Sequence, residues 1–181
     1  RGMPKDKILI VCDRGMLDNR AYMNEEETEW VMEQIGANEV ELRDQYDAVF
    51  HLGDYDSDAR WLSRRLDAPM ICVAGNCDMF SKVGREVFAS YEGHRILACH
   101  GHLHDVKWGL DQLSYYAEEH GADIVLYGHT HIEDCHREGD LWVLNPGSSG
   151  SWGGSAGIIE VENGRIISCR HYRYGDQEEL V

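Results

Sequence analysis

Along the first two thirds of the chain, short apolar runs alternate with amphipathic stretches. The runs Ile8–Cys12, Ala48–Leu52, Met70–Ala74, Ile96–Cys99 and Ile124–Tyr127 are each the length of a strand buried on both faces. Between them, Glu25–Gly36 carries helical spacing, with Asn24 and Glu27 placed as a capping box and Gly36 as a stop. Ser57–Leu66 and Leu110–His120 read as two further helices, the second ended by Gly121. After His131 the rhythm changes to short strand candidates, Leu141–Leu144, Gly157–Val161 and Ile166–Cys169, with a turn signal at Asn163-Gly164. The pattern predicts an α/β layered domain that finishes in a β-rich half. No repeat, linker or shift in composition divides it, so residues 1–181 are expected to form one domain.

Charge narrows the classes of partner. Lys and Arg total 17 against 33 Asp and Glu, a net −16 that repels both a phosphate backbone and an anionic leaflet. Long nucleic acids and membranes are therefore unexpected partners, while a surplus of carboxylates together with 10 His invites cations. Charge alone leaves the oligomeric state open. No apolar run approaches the roughly 18 residues of a membrane span. Arg1–Lys7 is too short and polar for a signal peptide, and Met3 reads as the native start. A cytoplasmic location is expected. The six cysteines contain no CxxC pair and are expected as reduced thiols rather than a disulfide framework.

Residues able to bind metal recur just past the predicted strands, where α/β folds place their ligands. Asp13 follows the first, Gly53-Asp54 the second and Gly75-Asn76-Cys77-Asp78 the third; His100-Gly101-His102-Leu103-His104 and Gly128-His129-Thr130-His131 follow the next two. Each alone is compatible with an ordinary turn, since Gly, Asn and Asp suit left-handed backbone. Together, one behind each strand, they place carboxylate, amide and imidazole groups on one rim. That set suits two divalent cations about 3.5–4 Å apart.

The order GD, GNCD, HGH, GHTH and then NPGS at Asn145–Ser148 resembles the calcineurin-like metallophosphoesterases, in particular their small single-domain phosphodiesterases from bacteria and archaea. The resemblance covers roughly residues 47–170. It implies a four-layer αββα sandwich of two mixed sheets flanked by helices, and hydrolysis of small soluble phosphoesters by a hydroxide held between two metals. Carried over, it makes Asp54 the bridging ligand, adds Asn76, His100 and His129 to one metal, and gives Asp13 with His131 to the other. Asp54, Asn76, His100 and His102 become the catalytic set, with His102 orienting substrate or supporting the ligands. Oxygen and imidazole donors suit Mn²⁺ first, with Fe, Zn²⁺ and Ni²⁺ as alternatives. Cys77 stands where much of the superfamily has a His that can protonate the leaving group, so the resemblance implies modest activity favouring good leaving groups.

Two departures accompany the likeness. The family's first strand ends Asp-x-His, but here it runs into Asp13-Arg14-Gly15, and Gly15 has no side chain to coordinate; Asp18 on the same loop is a possible substitute. The stretch 12–52 also resembles a segment of AAA-type nucleotide-binding ATPases, which makes it atypical within the domain and suggests an exchanged strand–helix–strand unit. No G-x-x-x-x-G-K-[ST] occurs, so the phosphate cradle of an ATPase is missing. The absent His leaves a second expectation beside the enzyme: a metal- or nucleotide-binding module of the same fold with impaired catalysis.

Overall fold

The computed structural model describes residues 6–11, 47–64, 68–149 and 154–173. Two five-stranded sheets face one another. The first has the order β10-β9-β1-β2-β3, built from β1 (Asp6–Val11), β2 (Ala48–His51), β3 (Met70–Cys72), β9 (Ser155–Glu162) and β10 (Arg165–Arg173). The second has the order β4-β5-β6-β8-β7, from β4 (Glu86–Tyr91), β5 (His94–Cys99), β6 (Ile124–Tyr127), β7 (Glu133–Glu138) and β8 (Leu141–Pro146). Both are mixed: β1, β2 and β3 run parallel, as do β5, β6 and β8, with antiparallel strands completing each sheet.

Alternation along the central strands sorts the apolar side chains into two cores. Phe50, Ile96, Ala98, Ile124, Leu126, Leu144 and Ile159 fill the space between the sheets. From the same strands, Leu97, Cys99, Val125, Tyr127 and Val143 point outward and are covered by α2 (Asp111–Glu119) through Leu113 and Ala117, one helical turn apart. Gly121 at φ +65° ends α2 in the left-handed region, and the Ala122 amide reaches back to the Ala117 carbonyl at 2.9 Å. The shorter α1 (Asp56–Leu62) lies beside β3, with Asp56 and Asp58 in its first turn. Two sheets and α2 thus supply three of the four expected layers; the predicted helix Glu25–Gly36 lies outside the described residues.

Predicted and observed strands coincide at the centre of each sheet, whereas β4 and β7, the edges of the second sheet, are additional. The expectation of six reduced thiols is corrected: Cys135 of β7 and Cys169 of β10 form a disulfide, their Cα atoms 6.7 Å apart. Strands remote in sequence meet there because they border the same open side of the sandwich, where Arg173 of β10 also pairs with Glu133 of β7 at 2.9 Å. Cys72 and Cys99 are outside any disulfide. No described helix is long and apolar enough to cross a membrane.

Candidate metal centre

The parallel strands β2, β3, β5 and β6 all end on one rim, and the loops that follow converge on His100, which is wholly buried. Its Nδ1 lies 2.8 Å from the Leu52 carbonyl oxygen, which can only accept, so the ring hydrogen sits on Nδ1 and Nε2 presents a lone pair. Around that lone pair stand Asn76 Oδ1 at 3.0 Å, His129 Nδ1 at 3.1 Å and Asp54 Oδ1 at 3.7 Å. Four of the sequence-predicted residues therefore meet at one point, from four different loops.

The loops are shaped to bring them there. Asp54 and Tyr55 have φ of +52° and +62°, and His129 and His131 have +68° and +57°, a left-handed conformation that non-glycine residues adopt at a cost. A Cβ on Gly53 would come within 2.7 Å of the Gly75 amide nitrogen and 2.9 Å of His100 Nδ1, so only glycine lets β2 turn this close to β3 and β5. The Cys77 amide donates to Asp54 Oδ1 at 2.8 Å. Buried Asp78 then ties the two loops together, accepting the amide hydrogens of Gly75 at 2.8 Å and Asp56 at 2.9 Å. On the far side, Asn145 Nδ2 donates to the Gly128 carbonyl at 3.1 Å and to Thr130 Oγ1 at 3.0 Å, bracing the loop that carries His129.

His102 is beside this centre, its ring centroid 5.2 Å from that of His100 and 6.1 Å from that of His129. Arg85 donates to its Nε2 at 3.1 Å, which puts the ring hydrogen on Nδ1, a buried atom with no hydrogen-bond partner among the described residues. Burial, with help from His100, Arg85 and His129, pushes the His102 pKa down to about 4 and keeps the ring neutral. His131 lies two residues beyond His129 on the same left-handed turn and is half-buried. Asp13, Gly15 and Asp18 lie outside the described residues. Sequence reasoning assigned no role to Asp78, Arg85 or Asn145. The first and last stand inside quoted motifs, but their work is to bond backbone atoms, which a motif does not reveal.

The donor set fits a cation. A lone pair on His100 Nε2, the Asn76 oxygen and the Asp54 oxygen, which already accepts from the Cys77 amide, face one another beside His129 Nδ1, and a positive ion would satisfy all four. Two donor atoms about 2.1 Å from one ion and about 90° apart at it are separated by ~3.0 Å, close to the spacings around His100. Among the described residues no set of three or more His, Cys, Asp and Glu side chains is arranged to hold an ion by itself. The Asn76 amide is thus an integral part of the set.

Comparison with known proteins names the class. Residues 27–164 match the calcineurin-like phosphoesterase superfamily domain, and the chain belongs to that family. It is 35% identical over 102 residues to "Probable metallophosphoesterase YsnB" of Bacillus subtilis, covering 56% of this chain and 59% of that protein. A "Probable metallophosphoesterase" of Methanothermobacter thermautotrophicus is 32% identical over 102 residues, covering 55% and 59%. The matched region thus spans about three-fifths of these relatives' length. Among solved structures, a predicted phosphoesterase from Streptococcus pneumoniae TIGR4 has a TM-score of 0.66 at 22% identity, over 95% of this chain and 99% of that one. Vps29 from Chaetomium thermophilum has a TM-score of 0.65 at 16% identity, over 93% and 98%. At these identities the structures show the shared fold. The family match begins at residue 27, ahead of residue 47 and inside the stretch compared above with AAA-type ATPases, so the ATPase comparison gains no support.

Proposed function

We propose that the protein is a metal-dependent phosphodiesterase acting on small soluble phosphoesters. The observation that supports this most directly is the convergence of Asp54, Asn76 and His129 on the lone pair of His100 Nε2. Asp54, Asn76, His100 and His129 would hold one divalent cation, and Asp13, Asp54 and His131 a second, with Mn²⁺ the first choice for oxygen and imidazole donors and Fe, Zn²⁺ or Ni²⁺ as other fits. When bound, such ions supply positive charge to the phosphate oxygens and lower the pKa of water at the centre. The chain's own residues do the rest. The Cys77 amide fixes the Asp54 carboxylate and Asp78 ties its loop in place before substrate arrives, while neutral His102, held by Arg85, packs its ring beside those of His100 and His129. Cys77, a weak proton donor in the place of a His, favours esters with good leaving groups. A structure entitled as that of a novel archaeal phosphodiesterase shares the fold at a TM-score of 0.65 and 19% identity.

The experiment is hydrolysis of bis-p-nitrophenyl phosphate with Mn²⁺, together with calorimetric metal titration, on the wild type and Asp54→Ala. Turnover with two ions bound, lost in the variant, supports the reading. One ion without turnover supports the alternative, a metal- or nucleotide-binding module, which the Gly15 departure favours. No ion bound overturns both.

A further inference from the structure

A cleft of about 540 Å³ opens beside the loops of the metal centre, its lining including Tyr55, Asp56, Arg60, Cys77 and Lys82 together with the exposed side chains of Met79 and Phe80. Two of its lining residues adjoin the centre: Tyr55 follows Asp54 in the chain, and the Cys77 amide bonds the Asp54 carboxylate at 2.8 Å. Phe80 is 93% exposed and Met79 74% exposed, so neither belongs to a core. Their exposure is built in. The loop that carries them is laced shut by Ala74 N–H to the Gly84 carbonyl at 2.8 Å, Ser81 N–H to the Asp78 carbonyl at 3.1 Å, Ser81 Oγ–H to Asp56 Oδ2 at 2.7 Å and Val83 N–H to Ser81 Oγ at 3.0 Å. A hydrogen-bonded loop that holds an aromatic ring and a thioether in water, on a cleft beside the centre, offers a surface on which something flat and apolar can lie.

We propose that this cleft seats an aromatic arm of the phosphoester substrate, stacked on Phe80 and touching Met79, while the phosphate lies at the metal centre. The inference rests on the phosphodiesterase reading and adds the substrate class: phosphoesters bearing a flat ring, whether a simple aryl group or a nucleobase. Arg60 in the lining is paired with Asp56 at 2.7 Å, so Lys82 is the cation that suits the anionic end of such an ester in a chain of net charge −16. Stacking tolerates different rings because each offers a π-face, so Phe80 sets a preference for aromatic over aliphatic esters rather than for one base.

The test uses phenyl phosphate, thymidine 5′-monophosphate and methyl phosphate as competitive inhibitors of bis-p-nitrophenyl phosphate hydrolysis by the Mn²⁺-loaded wild type, Phe80→Ala and Phe80→Trp. Phe80 is exposed, so both variants should fold. The two aromatic phosphates are expected to bind roughly tenfold tighter than methyl phosphate in the wild type and in Phe80→Trp, and to lose that advantage in Phe80→Ala. Tighter binding of the thymidine compound than of phenyl phosphate would assign the arm to a nucleobase, and the reverse to a plain aryl group. A second readout is independent of turnover. In Zn²⁺-loaded protein carrying ¹³C-methyl methionine, the Met79 methyl resonance should move on adding phenyl phosphate and stay still on adding methyl phosphate. Hydrolysis with equal inhibition by all three compounds, or a Met79 signal that ignores the ring, overturns the aromatic site and leaves the phosphodiesterase standing. A moving Met79 signal with no hydrolysis under any metal keeps the aromatic site and overturns the enzyme.

Discussion

Asp54 and Cys77 are 23 residues apart in sequence, and the amide hydrogen of one lies on a carboxylate oxygen of the other at 2.8 Å. That bond fixes the orientation of a buried carboxylate whose second neighbour is the imidazole of His100 at 3.7 Å. The carboxylate is held by backbone rather than by another side chain, so its position depends on how closely the two loops approach.

Gly75 measures that approach. A Cβ there would run into the Asp54 carboxylate, with its carboxyl carbon only 2.8 Å away, although Gly75 has an ordinary backbone conformation. Because that Cβ would also meet the Asp54 backbone nitrogen, Gly75→Ala should push the whole Asp54 turn aside and lower the stability of the protein. Hydrolysis should fall by at least roughly a hundredfold, as expected when a metal-bound carboxylate is displaced, and the rise in melting temperature on adding metal should shrink. Unchanged metal-dependent melting in the variant would refute the link between this contact and metal binding.

Asp78 carries a second, separable effect. Both its oxygens accept backbone amide hydrogens, from Gly75 and Asp56, and the residue is buried. In Asp78→Asn one oxygen becomes an NH₂ facing an N–H donor, leaving a buried pair mismatched at about 1–3 kcal/mol. Urea denaturation of metal-free protein should show this loss. A metal-free variant as stable as the wild type would mean that Asp78 does not tie the loops.

The central strands are legible in the sequence because they are covered on both faces and so read as unbroken apolar runs, as in Ile124–Tyr127, whose four residues are all buried. Edge strands lose that signature. In β7, Glu133, Asp134, His136, Arg137 and Glu138 surround a single Cys, and nothing in the pattern separates it from a loop. The residues that converge on His100 are legible because Gly, Asn, Asp and His just after buried strands combine turn chemistry with metal chemistry. Asp78 and Arg85 are not, since their work is to bond backbone atoms and a neighbouring ring in loops whose geometry only the fold supplies. The Cys135–Cys169 pairing is hidden for a related reason: it joins strands of different sheets, one of them the unforeseen β7.

Thiol reactivity should follow the structure. Cys77 is exposed and lines the cleft, whereas burial pushes the Cys72 and Cys99 thiols up to about 12, where almost no thiolate exists at neutral pH. Iodoacetamide at neutral pH, followed by peptide mass spectrometry, should modify Cys77 well before either of them. Labelling of Cys99 at a comparable rate would contradict the packing of β5.

The disulfide predicts a redox-dependent stability. Cys135 and Cys169 close a loop with a sequence separation of 34 residues between β7 and β10, and the chain-entropy estimate for such a loop is about 4 kcal/mol. Reduction should lower the melting temperature by roughly 10 °C in a chain of this size. Cys135→Ser should melt like the reduced wild type and be indifferent to reductant. If the oxidised and reduced wild types melt together, the two thiols are unpaired in solution.

His136 stands between Asp134 and Glu138 on one face of β7, its Nδ1 2.9 Å from Asp134 Oδ1 and its Nε2 3.2 Å from Glu138 Oε1, while Tyr127 from β6 donates to the other Asp134 oxygen at 2.9 Å. Burial opposes the charged ring, but the hydrogen bonds to the two carboxylates outweigh it and raise the His136 pKa above its usual 6.5. A raised folded-state pKa means the folded chain binds the proton more tightly than the unfolded one. The stabilisation is therefore complete below about pH 6.5 and lost as pH climbs through the folded value. His136→Gln keeps a polar side chain but cannot take the charge. Thermal melts of both proteins from pH 5.5 to 9 should show the variant less stable at the acid end and the two curves converging at the alkaline end. A gap that stays constant with pH would assign the loss to packing and sink the electrostatic account; a gap that widens toward alkaline pH would reverse its sign.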